Sequence, residues 1–142
     1  MRKILVAIDG SDNALRALDF AVRQAGYAPT AELCVLTVPP PSSSFVGLEL
    51  YVSADRMQEI RAEQARTVLD AAGKQLAGAG CAFQLEQQDG EPAETIARRA
   101  SELDCESIVM GTHGRGQLGA ILLGSVAQRV VHHATVPVTL VK

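Results

Sequence analysis

The stretch Ser107-Ile108-Val109-Met110-Gly111-Thr112-His113-Gly114-Arg115-Gly116-Gln117-Leu118-Gly119-Ala120-Ile121-Leu122-Leu123-Gly124-Ser125-Val126 carries three patterns in a fixed order. Ser107 to Met110 is an apolar run that reads as a buried strand, glycines then recur, and helical spacing begins at Ser125. A glycine-rich loop therefore leads from a strand into a helix. Glycines let backbone N–H groups approach an anion closely, and a helix N-terminus presents unpaired N–H donors at the positive end of its dipole. The loop suits phosphate. Ser125 stands where a helix cap is expected, with its hydroxyl within reach of a phosphate oxygen.

Outward from this loop the same alternation of strand and helix fills the chain. Ile4 to Ile8 is apolar throughout, as in a strand covered on both faces, and Asp9-Gly10-Ser11-Asp12 supplies turn and cap residues. Ala14, Leu15, Leu18, Val22 and Ala25 recur at helical spacing before a stop at Gly26. Leu33 to Val38 is a second strand, closed by Pro39-Pro40-Pro41. The segment from Pro39 to Tyr51 reads as a loop beside a strand's carboxyl end, a position that often carries function and suits a lid. A long helix from Ser53 to about Ala77 has a stripe of Met57, Ile60, Ala65, Val68, Leu69, Ala72 and Leu76, which predicts core packing. Phe83 and Leu85 alternate with Gln84 and Glu86, as in a half-exposed edge strand. Asp89-Gly90-Glu91-Pro92 turns into a helix with Ala93, Ile96, Ala97, Ala100 and Leu103 inward. After the glycine loop, Val126, Ala127, Val130 and Val131 mark the inner side of the last helix, and Val136 to Val141 forms a fifth strand. The pattern predicts one α/β domain over residues 1–142, an open five-stranded parallel sheet with helices on both faces. In such a sheet a ligand sits beyond the carboxyl ends of the strands where their order reverses. With Ile4 to Ile8 and Ser107 to Met110 adjacent there, Asp9 and Gly111 flank one crevice.

Composition narrows the partner. A formal net charge of -3 and the lack of a basic run argue against nucleic acid, and 4% aromatic residues leave little for base stacking. The N-terminal apolar run ends too early, at Asp9, for a signal peptide, and no run approaches the roughly 18 apolar residues of a membrane span. Cys34, Cys81 and Cys105 are odd in number and widely separated, fitting neither a disulfide framework nor a zinc site. The expectation is a soluble protein of the reducing cytoplasm, with Cys34 and Cys105 as small core residues.

Two phosphate-binding patterns compete in the loop. Gly114-Arg115-Gly116-Gln117-Leu118-Gly119 matches the dinucleotide fingerprint, but that motif belongs after a first strand and this one follows the fourth. No G-K-[ST] follows the glycines, so a Walker loop is absent. The longer pattern is Gly111-x-x-Gly114, nine residues, then Gly124-Ser125. With Ile4-Leu5-Val6-Ala7-Ile8-Asp9-Gly10-Ser11 at the start, Asp89-Gly90-Glu91-Pro92 and Val136-Pro137-Val138, the chain resembles the universal stress proteins of the single-domain, ATP-binding kind.

The resemblance implies a Rossmann-like fold of the adenine-nucleotide α-hydrolase type, with strand order 3-2-1-4-5. It implies that Asp9 bonds the ribose hydroxyls, with Ala7 beside the adenine and Val38 offering backbone groups to its edge. Gly111, following Met110 at the strand end, lets the ribose approach, while Gly114, Gly124, Ser125 and the N–H of Val126 hold the phosphates. His113 and Arg115 are further candidates for phosphate, and His113 for metal. ATP in this family commonly carries a divalent ion, Mg²⁺ or Mn²⁺, on its phosphate oxygens; the loop has no carboxylate cluster for a dedicated metal site. Hydrolysis needs a group that positions water, and the loop offers none beyond His113 and Arg115. A nucleotide-dependent sensor or regulator in the stress response, with at most slow hydrolysis, is therefore the leading expectation, and no catalytic residue is assigned. The alternative is a dimeric interaction protein whose site is empty or holds AMP or cyclic AMP. An apolar edge strand at Val136 to Val141 predicts pairing of two copies, the homodimer that the resemblance also implies.

Overall fold

The computed structural model describes residues 1–41, 52–114 and 123–142. Its elements alternate in chain order: β1 (Arg2–Ala7), α1 (Asp12–Gly26), β2 (Ala31–Thr37), α2 (Ala54–Leu76), β3 (Ala82–Gln87), α3 (Pro92–Glu102), β4 (Ser107–Gly111), α4 (Ser125–His133) and β5 (Val138–Val141). All neighbouring strands run parallel, in the order β3-β2-β1-β4-β5. Strand order reverses between β1 and β4, where Val6 lies between Val35 and Val109 and Ala7 between Leu36 and Met110.

Side chains of a strand alternate between its two faces, and that alternation divides the core in two. Ile4, Val6, Ile8, Leu33, Val35 and Val109 pack with α1 and α2, whereas Leu5, Ala7, Leu36, Ile108 and Met110 pack with α3 and α4. Every residue of β2 is buried, as befits a strand with a neighbour on each side, and its one charged residue, Glu32, accepts a hydrogen bond from Gln84 Nε2 at 2.6 Å. β3 has one neighbour and is largely exposed, so the edge position expected from its alternating pattern is borne out.

The helices differ from expectation at particular residues. Leu15, expected inward, is 37% exposed, because the buried stripe of α1 runs through Ala14, Ala17, Leu18, Ala21 and Ala25. Val131 is likewise 49% exposed, one residue past buried Val130, and a helix turns about 100° per residue. α1 continues through Gly26 and closes at Tyr27, whose N–H bonds back to Ala25 and Gln24. In α2, Met57, Ala65, Val68, Ala72 and Leu76 are buried as expected, while Ile60 and Leu69 are half-buried at the margin of the stripe. The strand at the C-terminus begins at Val138, after Pro137, since proline cannot donate to the ladder. All of the expected lid beyond Pro41, residues 42–51, lies outside the described residues.

Candidate functional site

A crevice of about 350 Å³ opens at the carboxyl ends of β1, β2 and β4. β1 ends in Ala7, and Ile8 still donates its N–H to Leu36 O at 2.9 Å, which holds the following Asp9 at the rim. Gly10 takes a φ of 83°, and Ser11 N–H donates to Asp9 Oδ1 at 2.9 Å. The Ser11 hydroxyl accepts from Ala14 N–H at 3.2 Å and so caps α1. Asp9 is thus oriented by the turn while the capping is done by Ser11.

The glycine loop leaves β4 beside β5 and returns to the same point. Thr112 donates its N–H to Val141 O at 2.9 Å, and Gly124 donates to Thr112 O at 2.7 Å, so the chain returns beside its point of departure. Thr112 is buried; its hydroxyl lies 2.9 Å from His113 Nδ1 and accepts from Asn13 Nδ2 at 3.3 Å. Nothing in the sequence distinguished Thr112. Gly114 meets Asp9 closely enough that a Cβ there would stand 2.5 Å from Asp9 Oδ2. Two residues 105 positions apart therefore meet in the crevice.

The start of α4 differs from that of every other helix among the described residues. Ser11, Ser53 and Glu91 each accept a first-turn N–H through their side chains at α1, α2 and α3. α4 has Gly124 as its cap residue and no side-chain hydrogen bond. The expected cap at Ser125 is therefore corrected: Ser125 is the first helical residue, one position too late for its hydroxyl to fold back on the first turn. The first turn of α4, with the helix dipole behind it, lines the crevice with no side-chain cap among the described residues, an arrangement that suits an anion.

Ala7, Asp9 and Val38 line the crevice on the β1–β2 side; Met110, Gly111, His113 and Gly114 line it at the exit of β4; Gly124, Ser125 and Val126 line it at the start of α4. Arg115 lies outside the described residues, as does the loop through residue 122. Walls came from elements whose apolar stripes predicted only core packing: Ala65 and Val68 of α2, and Ile96 of α3. Gln64 adds an exposed amide at the rim. Glu91 caps α3 through Oε2, at 2.8 Å from Glu94 N–H, and pairs through Oε1 with Arg129 of α4, also at 2.8 Å. This pair links α3 to α4 beside the crevice. Arg61 bonds Pro40 O at 3.1 Å and Asp89 at 3.2 Å, fixing the exit of β2 against α2. Among the described residues no group of three or more metal-ligating side chains converges, and no helix is long and apolar enough to cross a membrane.

The family model described as the universal stress protein family matches residues 1–142. The chain belongs to the universal stress protein family. Universal stress protein MJ0531 of Methanocaldococcus jannaschii is 36% identical, with 99% of this chain and 82% of that protein covered. YxiE of Bacillus subtilis is 37% identical, with 99% and 98% covered. Among solved structures, the hypothetical protein MJ0577 superposes with a TM-score of 0.85 at 28% identity, covering 99% of this chain and 95% of that one. A universal stress protein in complex with cAMP gives 0.73 at 26%, covering 99% and 97%. The Archaeoglobus fulgidus universal stress protein in complex with dAMP gives 0.74 at 25%, covering 100% and 98%. The five-stranded order and the helices on both faces are those of this family's Rossmann-like fold.

Proposed function

We propose that this chain is an ATP-binding universal stress protein of the cytoplasm that acts as a nucleotide-dependent sensor or regulator. The observation that carries this reading is the start of α4, without a side-chain cap and facing a crevice that also holds Asp9. Phosphates lie against Gly124, Ser125, the Val126 N–H and Gly114; Asp9 takes the ribose hydroxyls; the adenine lies near Ala7 and Val38. Met110 and Gly111 form the floor under the ribose, His113 lies toward the phosphate end, and Arg115 is a further candidate for the phosphates by its place in the sequence. The dAMP and cAMP complexes of the two neighbours support an adenine nucleotide as the ligand class. Because no carboxylate cluster lines the described part of the crevice, Mg²⁺ or Mn²⁺ would be held by phosphate oxygens.

Asp9 is turned toward Ser11 and Gly114, and the described crevice presents no second carboxylate to position water. Hydrolysis is therefore slow at most, and the nucleotide acts by being bound. Two copies pair through the last strand, Val136 to Val141. The cAMP complex favours one second reading, in which a monophosphate occupies the site of an interaction protein.

Calorimetric titration of nucleotide-free protein with ATP and Mg²⁺, AMP and cyclic AMP in parallel tests both readings. Micromolar ATP binding that vanishes in a Gly114→Val, Gly124→Val double variant with native circular dichroism is the expected result. Tighter binding of a monophosphate moves the assignment to the second reading, and no binding of any of the three overturns the nucleotide site.

A further inference from the structure

Thr112 is buried just past the end of β4. Its N–H donates to Val141 O at 2.9 Å, its carbonyl accepts from Gly124 N–H at 2.7 Å, and its hydroxyl meets Asn13 and His113. The backbone is thereby held from β5 and from the start of α4, which gives the hydroxyl a fixed place. Asn13 reaches it because α1 seats closely on Gly111, where a Cβ would fall 2.8 Å from Asn13 Cβ. We propose that Asn13 and Thr112 are positioning residues that hold the neutral ring of His113 with its proton on Nε2, making His113 a hydrogen-bond donor to the phosphates of the nucleotide. The proton placement stands on contacts within the chain, while its use by phosphate rests on the nucleotide-binding reading.

Donors and acceptors set the direction of each bond along these contacts. Arg16, three residues beyond Asn13 on α1, donates through Nη2 to Asn13 Oδ1, while its Nε donates to Lys142 O at 2.8 Å. A guanidinium can only donate, so the Asn13 amide turns its oxygen to Arg16 and its nitrogen to Thr112. Asn13 Nδ2 then donates to Thr112 Oγ1 at 3.3 Å. A hydroxyl has a single hydrogen to give, and an amide nitrogen does not accept it. Among the described residues the other hydrogen-bond neighbour of Thr112 Oγ1 is His113 Nδ1, at 2.9 Å. Nδ1 therefore accepts, and a neutral imidazole that accepts at Nδ1 carries its proton on Nε2.

His113 is half-buried and lines the crevice beside Gly114. Its Nε2 stands across the ring from the nitrogen that Thr112 holds. Phosphate oxygens are acceptors, so an Nε2–H suits them, whereas the opposite tautomer would set a lone pair against the anion. The ring contributes a donor while uncharged. A metal-bound histidine shows the reverse arrangement, donating its second ring N–H to an oxygen while the other nitrogen holds the cation. Here the nitrogen held by Thr112 accepts, and Nε2 has no lone pair to offer. The contacts of Asn13 and Thr112 thus suit His113 to phosphate and not to metal.

Heteronuclear NMR of the isotope-labelled, nucleotide-free full chain reads the tautomer of the neutral ring, with the His113 signals identified by their absence from His113→Gln. The parent should show Nε2–H. Thr112→Val removes the hydroxyl and should release the ring to a mixture of tautomers, whereas Thr112→Ser should restore Nε2–H. Asn13→Asp tests the direction of the bonds. Its carboxylate only accepts, so the Thr112 hydrogen turns to it, Thr112 Oγ1 accepts from Nδ1–H, and the tautomer should reverse. A carboxylate in the first turn of α1 suits the helix dipole, so this variant carries the test if Thr112→Val does not fold by circular dichroism. In calorimetric titration, Thr112→Val and Asn13→Asp should each bind ATP about tenfold more weakly than the parent, and Thr112→Ser should match it. Nδ1–H in the parent, or one tautomer throughout the parent and the folded variants, overturns the proposal. Equal ATP affinity in the parent and in a variant whose tautomer has changed overturns the phosphate role. A parent that binds no ATP overturns the nucleotide reading, and the phosphate role with it, while the tautomer remains a separate result.

Discussion

A Cβ built at Gly111 falls 2.8 Å from Asn13 Cβ and 3.0 Å from the Asn13 carbonyl carbon, atoms fixed in the first turn of α1. The resemblance implied that Gly111 makes room for ribose; helix packing by itself already requires glycine there. Gly111→Ala is expected to cost about 1–3 kcal/mol of stability, the range for overpacking a close contact. A urea midpoint equal to the parent's would show that α1 yields freely. Gly114 is constrained differently, because among the described residues its missing Cβ would meet only the carboxylate of Asp9, at 2.5 Å. Gly114→Ala should leave the fold intact and displace Asp9. The expected outcome is a fall in ATP affinity on the order of tenfold, or ~1.4 kcal/mol. Unchanged affinity by calorimetry would remove Asp9 from the ribose contact. Sequence marked both positions, since spaced glycines are visible in one dimension. The neighbour each one serves, Asn13 or Asp9, lies about a hundred residues away and was not.

At the scale of elements, the helix starts separate a capping serine from one that does not cap. Ser11 accepts from Ala14 N–H, so Ser11→Ala should lose about 1 kcal/mol of stability. Ser125 makes no such bond, and Ser125→Ala should change stability by no more than about 0.5 kcal/mol while weakening nucleotide binding. Paired urea melts and titrations separate the two, and a Ser125→Ala loss matching that of Ser11→Ala would reinstate Ser125 as a cap. The order Gly-Ser before an apolar periodic stretch leaves the helix boundary uncertain by one residue, and one residue decides the chemistry of a cap. The same limit placed Leu15 and Val131 inward, because a helical stripe about 100° wide admits neighbours that packing then turns out to solvent.

For the molecule as a whole, the sheet leaves β3 and β5 with one neighbour each. Ile108 N–H donates to Pro137 O and Thr112 N–H to Val141 O, so residues 137, 139 and 141 face β4 and the backbone groups of Val138 and Leu140 face outward. Outward groups on a short apolar strand suit a twofold antiparallel pairing. Sedimentation equilibrium should give twice the chain mass at micromolar concentration, and a single-chain mass throughout would remove the proposed dimer. The sequence by itself determined the five strands, their parallel direction and the glycine loop, because period, alternation and glycine spacing are local properties. Strand order entered through the family resemblance, and the register at β1 and β4 is what makes Asp9 and Gly114 neighbours. Only the tertiary structure showed Ala65, Val68 and Ile96 as walls of the crevice, and Cys34 and Cys105 in one core cluster. These are contacts between elements distant in the chain. They depend on how helices seat on the two faces of a twisted sheet, which no local pattern encodes.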